Sequence, residues 1–108
     1  MKMFLDDERH PPRSWHDGSF IIMRSTELAK VFCTDMYVPD FISFDHDLGE
    51  NKLTGYDFAH WLVEQDISKA GFLPDIFSFT VHSMNPVGAQ NITILLNNYL
   101  QFRKENKT

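Results

Sequence analysis

Acidic and imidazole side chains stand in three short runs: Asp6-Asp7, Asp45-His46-Asp47 and His82. Each run directly follows an apolar stretch. An imidazole titrates near neutrality and can exchange a proton with water or with a phosphate ester. Two of them on one rim, His46 and His82, could serve as acid and base on opposite sides of a phosphorus. Asp45 and Asp47 flank His46 and could orient it. Asp6, Asp7 and Asp45, if gathered together, would repel one another and raise some of their pKa values. A divalent cation, Mg²⁺ or Mn²⁺, would relieve that, because hard cations take carboxylate oxygens. Arg9 offers a second way to do it. The plainer alternatives are that Asp6-Asp7 is only a turn and that each histidine is structural.

The run His82-Ser83-Met84-Asn85-Pro86-Val87-Gly88 reads as a strand end followed by a helix start. A helix N-terminus offers unpaired N–H groups and a positive dipole end, which together attract anions. Ser83 and Asn85 add side-chain donors. Gly88 permits close approach of a ligand or a neighbouring strand. Arg9 and Arg13 flank the rim and could grip a phosphate in bidentate fashion. Gly49 and Gly55 belong to the loop after the third apolar run, which could act as a lid. His10, His16 and His60 have weaker contexts; His60 falls mid-helix, where a surface role is expected.

Something must hold these groups on one rim. Four apolar runs have the length and content of buried strands: Met3 to Leu5, Ser19 to Met23, Phe41 to Phe44 and Ile76 to Val81. Helical patterns lie between and after them. Thr26 to Met36 sets Leu28, Val31, Phe32 and Met36 on one face. Thr54 to Ser68 carries Phe58, Trp61, Leu62 and Gln65 along a stripe, with Ala59 and Val63 beside it. Thr54 can cap that helix, with Asp57 completing a capping box. Asn85 caps the last helix and Pro86 fills its first turn; Ile92, Leu95, Leu96, Tyr99 and Phe102 form its apolar face. Glu8 to Gly18, with Pro11-Pro12, reads as a loop. Strands alternating with helices argue for a parallel sheet covered on both faces. The expected fold is α/β: a reduced flavodoxin-like, receiver-like three-layer sandwich, mostly parallel, of about four strands. In such sheets ligands bind at the carboxyl ends of the strands, where the polar runs fall.

Composition narrows the function classes. A chain of 108 residues fits one domain, 1–108, with 43% hydrophobic residues for its core. No apolar run is long enough to span a membrane, and the N-terminal residues lack the pattern of a signal peptide. The single cysteine, Cys33, rules out an internal disulfide and suggests a cytoplasmic home; within its amphipathic stretch it reads as a buried small hydrophobe. The formal charge of −5, with no basic block before the tail, argues against duplex DNA as a partner. A nucleotide, or an RNA end carrying a phosphate, remains compatible.

Several segments together carry a resemblance. These are Leu5-Asp6-Asp7-Glu8-Arg9, Pro11-Pro12 with Trp15, Phe44-Asp45-His46-Asp47-Leu48-Gly49, Thr54-Gly55-Tyr56-Asp57 with Trp61-Leu62, and His82 to Ala89. They resemble the cyclic-phosphate processing receiver family, a reduced relative of response-regulator receivers, from Leu5 to about Asn91. The resemblance implies a receiver-like fold and activity on cyclic phosphates, on RNA ends or nucleotides. It places Asp6, Asp7, Asp45, His46, Asp47 and His82 at the family's site positions. A phosphorelay receiver is similar at Asp6-Asp7 and at Asp45, its would-be phosphoacceptor. It would also carry Thr or Ser after a later strand and Lys after the last one. Here the last strand ends in His82-Ser83 and no Lys follows before the tail, which argues against phosphoacceptor signalling.

Three functions are open at this point. The first is a phosphoesterase acting on cyclic phosphates, with His46 and His82 as acid and base, Arg9, Ser83 and Asn85 holding phosphate oxygens, and Asp6, Asp7 and Asp47 orienting the site. The second is a metal-dependent phosphohydrolase of a linear substrate, with Asp6, Asp7 and Asp45 as metal ligands. The third is a non-catalytic module that binds a nucleotide or a partner protein. No organic cofactor is expected.

Overall fold

A computed structural model describes residues 1–15 and 20–106. His16, Gly18, Ser19 and the tail beyond 106 lie outside the described residues. The elements are β1 (Lys2–Leu5), a single 3-10 turn (Arg13–Trp15), β2 (Phe20–Met23), α1 (Thr26–Asp35), β3 (Phe41–Phe44), α2 (Gly55–Ser68), β4 (Ser78–Val81) and α3 (Pro86–Glu105). The strands form one parallel sheet in the order β2-β1-β3-β4. The receiver-like α/β architecture expected from the alternation is present.

Side-chain alternation divides the sheet into two unlike faces. Met3, Leu5, Ile42 and Phe44 share one core with Ala29 and Cys33 of α1, Phe58, Ala59, Leu62 and Val63 of α2, and Ile92 and Leu96 of α3. All three helices therefore cover that face. Phe4, Phe20 and Phe41 point to the other. There Trp15 closes on Phe4 edge-on and stacks with Phe20. Among the described residues, the layer on this second face is the loop with its 3-10 turn and not a helix. The Glu8–Gly18 segment has Pro11-Pro12 and too few helix formers to supply one.

The helix caps follow the sequence. Thr54 and Asp57 make a reciprocal capping box at α2, and Asn85 Oδ1 accepts from the Gly88 N–H at α3. Three expectations are corrected. α1 does not turn Leu28, Val31 and Met36 inward; these are 56%, 57% and 66% exposed, and Thr26, Ala29 and Cys33 are buried instead. The Thr26 hydroxyl donates to the Thr54 carbonyl at 2.7 Å, which fixes the helix phase, and the small residues on that side allow close packing. The fourth strand starts at Ser78, because Phe77 N–H bonds back to the Pro74 carbonyl in a turn and leaves Ile76 exposed. Phe102 lies beyond the sheet and is exposed.

A second buried polar network ties α2 to α3. Asp66 accepts from the Leu73 N–H at 2.9 Å, from the Tyr99 hydroxyl at 2.6 Å and from Arg103 at 3.3 Å. Arg103 also donates to the Leu73 and Pro74 carbonyls. No helix among the described residues is long and apolar enough to cross a membrane.

Candidate functional site

The sheet ladder runs one rung past its strands. Asp6 N–H donates to the Met23 carbonyl, Asp45 N–H to Leu5 and His82 N–H to Phe44, each at 2.9–3.0 Å. Because Leu5, Phe44 and Val81 lie in register across β1, β3 and β4, the next residues, Asp6, Asp45 and His82, come side by side. One donor atom from each lies within 4.8 Å of the others. The next residue along β3, His46, turns to the helix side. This is why three sequence-distant runs meet, and why the two imidazoles leave the rim in opposite directions.

Asp6 is the fixed anion of the rim. Its side chain is 1% exposed. Oδ1 accepts from the Glu8 and Arg9 N–H groups at 2.9 and 2.8 Å. Oδ2 accepts from Arg9 Nε and from His82, both at 3.0 Å. Burial alone would push this carboxyl up; the Arg9 and Glu8 N–H groups, the His82 bond and the Arg9 charge outweigh it and hold Asp6 below the ordinary carboxylate range. Arg24 braces the loop from behind by donating to the Asp6 and Arg9 carbonyls.

His82 is committed at both nitrogens. Nε2 meets Asp6 Oδ2, and Nδ1 lies 2.7 Å from the hydroxyl of Ser43, which is fully buried. An ionised Asp6 can only accept, so Nε2 carries the hydrogen. Burial pushes His82 below its ordinary value against the pull of Asp6 and Asp45, so the ring is neutral at pH 7 and Nδ1 accepts from Ser43. The ring lies flat on Phe4.

Asp45 has the opposite environment. Burial first, and then the neighbouring Asp6 charge, push its carboxyl above the ordinary value. Oδ1 accepts from the His46 N–H at 2.8 Å, and Oδ2 lies 3.5 Å from Arg9 Nη2. One guanidinium thus stands between Asp6 and Asp45.

His46 packs beneath the first turn of α3. Its Nδ1 lies 3.0 Å from Asp47 Oδ1, and that bond lowers the Asp47 carboxyl. Asn85 bridges from the helix cap, 3.3 Å from Asp47 and 3.5 Å from His46. A Cβ on Gly88 would stand 2.3 Å from the His46 ring, so any side chain there would displace the ring. A Cβ on Gly55 would meet the Asp45 carbonyl at 1.8 Å.

Between these groups lies an open cleft of about 570 Å³, lined by Asp6, Asp7, Glu8, Arg9, Asp45, Asp47, Gly49, Glu50, Ser83 and Met84. The structure brings together the sequence-chosen Asp6, Asp7, Arg9, Asp45, Asp47 and Ser83. His46 and His82 stand beside the cleft and not on its lining. Arg13 belongs to the 3-10 turn and is not in the lining either. Asn85 caps α3 and touches the His46–Asp47 pair. Ser43 and Arg24 were missed. Ser43 had a signal, a polar residue between Ile42 and Phe44 in an otherwise apolar strand; Arg24 had none. His60 is on the surface, paired with Glu64 at 3.2 Å. Cys33 is buried, and burial pushes its thiol up to about 12, which makes it inert.

The family model for the cyclic-phosphate processing receiver domain matches residues 1–98, and the chain belongs to that family. No curated protein matches. A solved structure described as the yeast Spc42 trimeric coiled coil in a fusion is similar with a TM-score of 0.54 and 17% identity, over 97% of this chain and 81% of that one. At that identity the likeness concerns the fold alone.

Proposed function

We propose that this member of the cyclic-phosphate processing receiver family is a phosphoesterase that opens a cyclic phosphate on a nucleotide or an RNA end. One observation carries the reading: a half-exposed guanidinium, Arg9, is anchored on buried Asp6 and reaches Asp45 inside a cleft at the strand ends. Arg9 and the Ser83 hydroxyl would hold the non-bridging oxygens, with Asn85 keeping the neighbouring helix end in place. Water would attack phosphorus and form a P–O bond as the bond to one ring oxygen breaks. One proton leaves the water, and one reaches the departing oxygen.

Paired groups with pKa values pushed apart identify proton carriers. Asp6 is held ionised, whereas Asp45 is pushed up and faces the cleft, so Asp45 is the carboxyl suited to carry a proton. His46 would make the complementary transfer only by swinging its ring from beneath α3 toward the cleft, since Asp47 holds its Nδ1 and the ring stands beside the lining. In the resting arrangement His82 has both nitrogens committed. It positions Asp6 and takes part in proton transfer only if that bond opens.

The expected divalent cation meets a carboxylate that is already full. Asp6 accepts four hydrogen bonds, which uses its oxygen positions. Asp45 and Asp7 are the carboxylates able to take a cation, which would supply charge neutralisation at the phosphate. Asp6 would join them only by releasing Arg9 or His82. The roles above need only the chain's own residues.

The test is turnover of 2′,3′-cyclic mononucleotides and of a short RNA with a cyclic end, in Mg²⁺, Mn²⁺ or EDTA, with Arg9→Ala as control. Ring opening that Arg9→Ala abolishes supports the reading. Turnover of linear phosphates alone, lost in EDTA, would favour the metal-dependent phosphohydrolase. A second reading, a module that docks a partner protein, has one observation in its favour: the exposed Leu28, Val31 and Met36 on α1.

A further inference from the structure

We infer that the cleft selects its ligand by charge, admitting a phosphodiester with one negative charge and rejecting the doubly charged monoester that hydrolysis produces. This rests on the phosphoesterase reading and adds to it the charge class of the substrate and a cause for product release.

Six carboxylates line the cleft, on Asp6, Asp7, Glu8, Asp45, Asp47 and Glu50, against one cationic side chain, Arg9. Among the described residues, Arg24 and Lys52 are placed elsewhere. Arg24 is spent on the Asp6 and Arg9 carbonyls, and Lys52 lays its stem along Gly49 without joining the lining. Arg9 itself divides its charge between Asp6 and Asp45 while remaining 46% exposed. Ser83 supplies a neutral hydroxyl beside it.

A phosphate with one charge gains Arg9 and meets the carboxylates once. With two charges the attraction to Arg9 and the repulsion by the carboxylates both double, and because the carboxylates outnumber the arginine the second charge adds more repulsion than attraction. A cyclic phosphate is a diester and carries one charge. The product of its opening is a monoester, which takes its second charge near pH 6. Four carboxylates outside the Arg9-bridged pair, acting through water across a cleft of this size, should weaken binding of the extra charge roughly tenfold at low salt and about threefold at physiological ionic strength.

The experiment titrates the whole chain, in EDTA at pH 7.5, with cytidine 3′-monophosphate and with its 3′-methyl ester, followed by ¹⁵N chemical shifts of Arg9 and Ser83. The two ligands differ by one methyl group and one charge, and neither contains the cyclic bond. The diester should bind tighter, by about tenfold at low salt and about threefold at 150 mM. In the Glu8→Gln, Glu50→Gln double variant, both exposed positions, the gap should narrow because the monoester gains more. A monoester that binds as tightly as the diester at low salt would overturn charge selection and leave the phosphate site standing. If neither ligand moves the cleft resonances, the phosphate reading of the cleft falls, and charge selection with it.

Discussion

The His82 imidazole lies flat on the Phe4 ring, with ring centres 4.2 Å apart and planes 6° from parallel. Phe4 comes from the middle of β1 and is buried, on the sheet face that the helices do not cover. The stacking takes His82 out of water, while Asp6 and Ser43 hold its two nitrogens. A histidine after the last strand is thereby a fixed donor to a buried carboxylate.

His82 should therefore be a neutral Nε2–H tautomer at pH 7. Its folded pKa is below the unfolded value of about 6.5, so its contribution to stability is complete above that value and is lost as pH falls through the folded one. Asp6 acts in the same sense in a lower window, below the ordinary carboxylate value. Asp45 acts in the opposite sense, since protonation relieves it. Imidazole ¹⁵N shifts should show the tautomer directly. In an Asp45→Asn background, thermal melts should lose stability on acidification from pH 6.5, and His82→Asn should flatten that slope.

Asp45→Asn should stabilise the fold at pH 7. It removes a buried charge beside Asp6 and leaves Arg9 on Asp6. A gain of the order of 1 kcal/mol raises the melting temperature of a domain this small by about 5 °C. If Asp45 carries a proton in the reaction, the same variant should lose turnover by about a hundredfold or more. More stability with less activity is the combination to look for in a melt and a rate assay on one sample.

Gly55→Ala and Gly88→Ala should differ in kind. The new methyl at residue 55 meets backbone, the Asp45 carbonyl, and nothing can give without moving the β3 end; a loss of about 3 kcal/mol or more is expected. At residue 88 the methyl meets the His46 ring, which is partly exposed and can swing away. Gly88→Ala should stay folded with a smaller loss and should break the His46–Asp47 contact. Circular dichroism melts measure the first effect and His46 ring shifts the second.

Tyr99→Phe removes the 2.6 Å bond to buried Asp66. A lost hydrogen bond to a charged acceptor costs about 1.5–3 kcal/mol. Burial and the Asp66 bond push the Tyr99 phenol up to about 12, so its ultraviolet phenolate signal should emerge only near that pH. Turnover should be unchanged, because the network lies between α2 and α3, away from the cleft.

The strand-end placement of Asp6, Asp45 and His82 was legible in the sequence, because apolar runs ended at those residues and a parallel sheet aligns its carboxyl ends. The caps by Thr54 and Asn85 were legible because capping chemistry is local. The phase of α1 was not. Leu28, Val31 and Met36 carry the greater hydrophobicity, but one tertiary hydrogen bond, from Thr26 to Thr54, and the close fit of Ala29 and Cys33 turned the helix the other way. The opposite directions of His46 and His82 follow from strand alternation, but only once the register is known: His82 falls on the rung of Asp45, one residue before His46. That Arg9 stands between Asp6 and Asp45 depends on how the loop after β1 folds back, which residue types alone do not specify.

The most direct measurement follows a 2′,3′-cyclic nucleotide by ³¹P NMR in the presence of the wild-type chain and of Arg9→Ala. The account predicts conversion of the cyclic phosphate to a single monoester resonance by the wild type, and a rate at least about a hundredfold lower in Arg9→Ala, in line with loss of a group that holds the phosphate in the transition state. A cyclic phosphate left intact by the wild type in EDTA, Mg²⁺ and Mn²⁺ alike, or opened equally well without Arg9, would contradict it.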